Sequence, residues 1–111
     1  MPKEALSTLT EPMYYVLLAL NRPRCGIEIM ARVEEISHGR LRIGPGTLYT
    51  MLAKFESNGL IAPVPSAGEG GKRKSYEMTP AGAAQLTREY ERLKRQAEDG
   101  KEVMEALYEQ G

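Results

Sequence analysis

The chain has no tryptophan and only one phenylalanine, one histidine and one cysteine in 111 residues. A lone cysteine cannot close an internal disulfide, which agrees with a reducing compartment. With one His and one Cys, the chain hardly offers the partners that a metal site or an acid–base pair requires. No apolar run approaches the ~20 residues needed to cross a bilayer. Residues 1–10 (MPKEALSTLT) lack the apolar stretch of an export signal, so a cytoplasmic location with no membrane partner is expected. There is no nucleophile with its base, no pair of carboxylates on a defined face and no phosphate-binding loop. The glycines of residues 68–71 lack the strand–loop–helix pattern that such a loop needs. These absences argue against an enzyme, and no cofactor is expected.

Net charge is also absent, with 15 basic and 15 acidic residues, but the charges are unevenly placed. Residues 1–37 sum to −1, residues 38–76 to +4 and residues 77–111 to −3. A basic middle third flanked by acidic segments is what a polyanion-binding surface between solvated helices produces. Length and a hydrophobic content of 41% suit one modest core.

In chain order, residues 1–9 show no strong period and read as an arm. Thr10 is placed to cap a first helix, with Glu11 and Pro12 in its first turn and Met13, Val16, Leu17 and Leu20 as its apolar stripe. Asn21, Arg22 and Pro23 end it. Ile29, Val33 and Ile36, with Met30 beside them, predict a second helix over 26–37, stopped at Gly39. Cys25 ahead of that helix reads as a small buried residue, with a redox-sensing thiolate as the alternative. His38 at its far end reads as structural or solvated.

Residues 40–43 alternate polar and apolar, as a short strand or an extended lead-in. Residues 44–61 (GPGTLYTMLAKFESNGLI) follow. Pro45 fits a first helical position, and Leu48, Leu52 and Phe55, joined by Met51, share one face that must be buried. The other face carries Thr47, Tyr49, Thr50, Lys54 and Ser57, with no acid in its first two turns, a set suited to phosphates and base edges. Residues 60–64 read as a strand confined to a sheet edge by proline. Residues 72–78 alternate as a second strand, and a glycine-rich tip between the two makes a hairpin.

Thr79 and Pro80 begin a last helix. Ala83, Leu86, Tyr90, Leu93, Ala97, Met104 and Leu107 recur in steps of three and four if Gly100 is counted as the missing member, a heptad seam that predicts a helical partner. Unbroken over 79–109, this helix would be about 45 Å long, too long for the rest of the chain to cover. A second copy is the natural cover. Gly100 leaves open a kink or a break into two helices.

Three helices, a hairpin with a basic flank and a long helix give a mostly α (α+β) class. The expected architecture is a winged helix-turn-helix with a two-stranded β wing and a long C-terminal dimerisation helix. The expected division is 1–78 for the winged unit and 79–111 for the dimerisation helix, within one compact body. The motifs Gly26-Ile27-Glu28-Ile29, Gly39-Arg40-Leu41-Arg42, Pro45-Gly46-Thr47-Leu48-Tyr49, Glu56-Ser57-Asn58-Gly59-Leu60-Ile61 and Arg73-Lys74-Ser75-Tyr76-Glu77-Met78-Thr79-Pro80-Ala81-Gly82 follow in this order. In them the chain, over residues 11–98, resembles the PadR-type transcriptional regulators, small winged-helix repressors with a C-terminal dimerisation helix. Pro45-Gly46-Thr47-Leu48-Tyr49 is the most specific of the five.

The resemblance implies a homodimeric repressor on double-stranded operator DNA. Thr47, Tyr49 and Thr50 would then approach phosphates or base edges, Lys54 the backbone, and Arg42, Lys72, Arg73 and Lys74 flanking phosphates. Leu86, Tyr90, Leu93, Ala97, Met104 and Leu107 would form the dimer contact. Tyr49 and Tyr76 could equally be packing residues. Some family members bind aromatic effectors, often with tryptophan stacking; any effector site here would have to use Tyr14, Tyr15, Tyr90 or the methionines. The alternative function is a winged-helix module that binds protein through the hairpin and third helix rather than DNA.

Overall fold

A computed structural model describes residues 8–65 and 74–110. The elements run α1 (Glu11–Leu18), β1 (Arg24–Cys25), α2 (Gly26–Ile36), α3 (Pro45–Ser57), β2 (Ile61–Val64), β3 (Ser75–Met78) and α4 (Pro80–Gln110). The expected mostly helical winged-helix architecture is present. No helix among the described residues is long and apolar enough to cross a membrane.

Local chemistry sets the helix ends. The Thr10 hydroxyl accepts the Met13 N–H and Pro12 lies in the first turn of α1. At the end of α2, His38 and Gly39 both turn left-handed, with φ of 56° and 80°, and the Gly39 N–H reaches back to the Glu34 carbonyl. The buried Ser37 hydroxyl accepts the Leu41 N–H at 3.0 Å, which holds the extended lead-in to α3 against that turn. Residues 40–43 therefore form the lead-in rather than a strand.

The core gathers one stripe from each of the first three helices: Val16 and Leu17 of α1, Ile29 and Val33 of α2, and Leu48, Leu52 and Phe55 of α3, closed by Leu60, Ile61 and Tyr76. Tyr76 is thus a packing residue. The hairpin pairs Ile61 with Met78 and Pro63 with Tyr76, and β2 takes an edge of the sheet, where a proline costs no ladder bond. On the other side of β3 lies β1, which pairs Arg24 with Tyr76 and Cys25 with Ser75, so the sheet has three strands in the order β1-β3-β2. Two residues are too short to show a period, and the pairing of β1 depends on a strand some 50 residues away in sequence.

The junction from α3 to α4 is tightly bonded. Asn58 and left-handed Gly59 end α3, and the Leu60 N–H returns to the Phe55 carbonyl at 2.9 Å. Thr79 bridges the two helices: its N–H donates to the Leu60 carbonyl, its hydroxyl donates to the Gly59 carbonyl, and the same hydroxyl accepts the Gly82 N–H. Gly82 is packed so closely that a Cβ there would collide with the Leu60 carbonyl oxygen and lie 2.8 Å from Met78 Cγ. Gly82→Ala should therefore lower the chemical-denaturation midpoint, by about 1–3 kcal/mol in stability, although alanine is the better helix former. An unchanged midpoint would contradict this packing.

α4 is continuous through Gly100 and, at 31 residues, about 46 Å long. Its inner face near the domain is mixed, with Leu86 against the core and Gln85 and Glu89 buried beside it. Glu89, only 3% exposed, accepts the Leu9 N–H at 2.9 Å and two bonds from Arg92 at 2.8 and 2.9 Å. The Arg92 bonds hold the Glu89 carboxyl below its usual range; burial opposes this and the Leu9 N–H adds to it. Leu9 is buried although the arm that contains it has no apolar period; residues 1–7 of that arm lie outside the described residues.

Candidate nucleic-acid interface

The exposed face of α3 follows from its buried one. At 3.6 residues per turn, Thr50 lies opposite the Leu48, Leu52 and Phe55 stripe, with Tyr49 on one flank and Thr47 and Lys54 on the other. All four are exposed. Gly46 and Ala53 stand between them, so the centre of this face is low and the backbone is open to close approach. The Thr50 hydroxyl donates to the Gly46 carbonyl at 3.0 Å, which satisfies its proton and leaves oxygen lone pairs outward. There is no acid in the first turn, and Lys54 stands in the last, where it meets the negative end of the helix dipole.

Tyr49 is 49% exposed and lies against the first turn of α2, where Gly26 leaves room for the phenol. It is both a packing residue and a surface one. Its partner was not legible in the sequence, since Gly26 reads there simply as a helix opener.

Arg42 lies in the extended lead-in to α3. Its side chain is 78% exposed and makes a 3.3 Å ion pair with Glu34, a pairing of little energetic weight at such exposure. It is therefore available to a stronger anion. Arg40 is engaged instead: its guanidinium donates to the Tyr15 hydroxyl at 2.9 Å, lies 3.5 Å from the Glu11 carboxylate and 5.9 Å from the centroid of the Tyr15 ring. Lys74, at the base of β3, is exposed with its ammonium 5.6 Å from the Tyr76 ring centroid. Lys72 and Arg73, with the glycine-rich tip, lie outside the described residues.

A further basic group had no signal in the sequence. Arg22, Arg24 and Arg32 line a cleft of about 450 Å³ together with Glu28 and Glu35. Arg24 donates to the Ala19 carbonyl and to Asn21 Oδ1, at 2.6 and 2.8 Å, and Arg32 donates to Glu35 at 2.6 Å. Burial, then the nearby Arg22 and Arg32, lower the Arg24 pKa, while Glu28 and Glu35 oppose the shift. These bonds make Arg24 a brace for the turn between α1 and β1.

The expected seam on α4 divides in two. Leu86 is half-buried and packs against the core of its own chain. Tyr90, Leu93, Ala97, Met104 and Leu107 are exposed, and Val103 and Tyr108 are exposed beside them.

Known proteins resemble the chain in both sequence and shape. It is 36% identical over 66 residues to the transcriptional regulator Rv3488 of Mycobacterium tuberculosis, covering 60% of this chain and 62% of that protein. It is 41% identical over 75 residues to an uncharacterized 37.1 kDa protein in a transposon of Streptomyces fradiae, covering 67% of this chain and 20% of that one. The chain thus spans less than two thirds of the length of either curated relative. In shape it is similar to a PadR family transcription regulator from Clostridium difficile, with a TM-score of 0.72, 24% identity and coverage of 83% of this chain and 96% of that one. It is also similar to a transcriptional regulator from Clostridium thermocellum, with a TM-score of 0.70, 22% identity and coverage of 86% and 97%. The sequence profile of the transcriptional regulator PadR-like family matches residues 16–88, about two thirds of the chain, from the last turn of α1 through the hairpin into α4, and the chain belongs to that family.

Proposed function

We propose that the chain is a DNA-binding transcriptional repressor that acts as a homodimer, with α3 in the major groove and the hairpin along the phosphate backbone. The observation that carries this reading is the exposed face of α3. It presents two threonine hydroxyls, a phenol and an ammonium, with no acid in the first turn of the helix, opposite a fully buried stripe. Arg42, in the lead-in to α3, and Lys74, just ahead of β3, add exposed cations to it, and Lys72 and Arg73 extend the basic set in the sequence.

In this reading the basic side chains supply affinity through phosphates, and Thr47, Tyr49 and Thr50 approach base edges or phosphates. No arginine or glutamine stands on that face to read guanine or adenine through two bonds, so groove shape and the spacing of two half-sites carry much of the specificity. The second copy is held by the outer seam of α4 from Tyr90 to Leu107. For an effector in the dimer, Tyr90 and Tyr108 are the exposed aromatics on α4. Tyr14 and Tyr15 pack edge to face with centroids 5.8 Å apart, and Tyr15 also holds Arg40.

A salt titration tests the DNA reading. Affinity for duplex DNA should fall linearly with salt on logarithmic axes, and Lys54→Ala should make that slope shallower by about 1 while weakening all duplexes alike. Duplex binding that is absent at low salt, or indifferent to salt, would remove the proposal.

A further inference from the structure

Glycine is the poorest helix former after proline, yet Gly26 opens α2. Its backbone does not require glycine, because the positive-φ glycines among the described residues are Gly39 and Gly59. What Gly26 supplies is space. A Cβ built there would collide with the Tyr49 hydroxyl and lie 2.8 Å from Cζ and 3.4 Å from Cε1 of the same ring. Gly44 and Gly46, the glycines nearest to Tyr49 along α3, have nothing within 4 Å of the corresponding position. The empty Cβ site of Gly26 is therefore matched to one side chain, and that side chain lies on the candidate DNA-reading face with 49% of its surface exposed.

We propose that Gly26 is a positioning residue for DNA recognition: the missing Cβ seats the Tyr49 phenol across the first turn of α2 and so aims its hydroxyl from the flank of α3. This rests on the reading of α3 as the helix that meets DNA. A seated ring has lost its rotational freedom on folding, so binding does not have to order it. A methyl group at position 26 pushes the tip of a half-exposed, two-torsion side chain into solvent and leaves the backbone in place. Stability and affinity should then move apart, which a purely structural glycine would not allow.

The test uses the full chain and a labelled duplex selected by the wild-type protein from a random-sequence library. Gly26→Ala should bind that duplex about tenfold more weakly, the loss expected when one hydrogen bond to a charged group is misplaced, with a melting temperature no lower than wild type. In a Tyr49→Ala background, where the ring is gone and the Cβ has room, adding Gly26→Ala should cost no further affinity. A Gly26→Ala protein that binds as tightly as wild type overturns the inference. So does an equal loss with and without the Tyr49 ring, or a fall in melting temperature that accounts for the loss. A wild-type protein that selects no duplex at all overturns the DNA reading itself, and this inference with it.

Discussion

Leu93→Glu in the full chain should be monomeric by light scattering and should lose about 100-fold or more of its affinity for a two-half-site operator. A monomer engages one half-site and forfeits the effective concentration that a second, tethered copy provides. Leu93 is suited to this test by its position. It is 38% exposed in the single chain and is no part of the core, so a charge there leaves the winged unit intact. In the proposed seam it would face apolar residues of a second α4, where an unpaired carboxylate is costly. Leu86→Glu, which sequence periodicity ranks as equivalent, is the poorer test, because Leu86 packs against its own core and its loss mixes unfolding with dissociation. A Leu93→Glu protein that remains dimeric would refute the seam as the dimer contact.

Phe55→Ala should remove about 3–5 kcal/mol of stability, a large share of the ~5–15 kcal/mol that holds a small domain together. Phe55 is the chain's one phenylalanine and is fully buried in the last turns of α3, among side chains from the other helices and the sheet. Truncation leaves a cavity that rigid neighbours cannot close. The loss falls on the element proposed to read DNA, since Leu48, Leu52 and Phe55 are what fix the orientation of its outer face. Chemical denaturation should show a much lower midpoint, with duplex binding lost near the temperature at which the fold melts. Thr50→Ala, on the exposed side of the same helix, should move the midpoint by about 0.5 kcal/mol or less. Similar small shifts for both variants would mean that the stripe does not anchor the helix.

The features legible in the sequence are those whose cause is local. Thr10, Pro45, Gly39 and Gly59 mark helix ends because each satisfies a backbone group or a φ within a few residues of itself. The apolar stripes of the first three helices repeat at helical spacing, and most of their members are buried in the core. The hairpin is legible because an apolar run with proline and an alternating run flank a glycine-rich tip. The basic middle third and the acid-free first two turns of α3 are equally visible, because charge and helix period are properties of the chain alone.

Tertiary structure decided what depends on residues far apart in sequence. β1 exists because Arg24 and Cys25 find the free edge of β3. Glu89 is buried because the Leu9 N–H, 80 positions away, and the Arg92 guanidinium meet it there. The single heptad pattern on α4 became two surfaces, with Leu86 inward and Leu93 outward, because the domain covers only the start of a helix about 46 Å long. Tyr49, a candidate reader from its place on α3, acquired a seat at Gly26 that no spacing rule foretells. Periodicity and capping act over one or two turns, and so the elements and their buried faces were written in the sequence. Which side chain meets which across the core depends on how those elements pack, and that is decided in three dimensions.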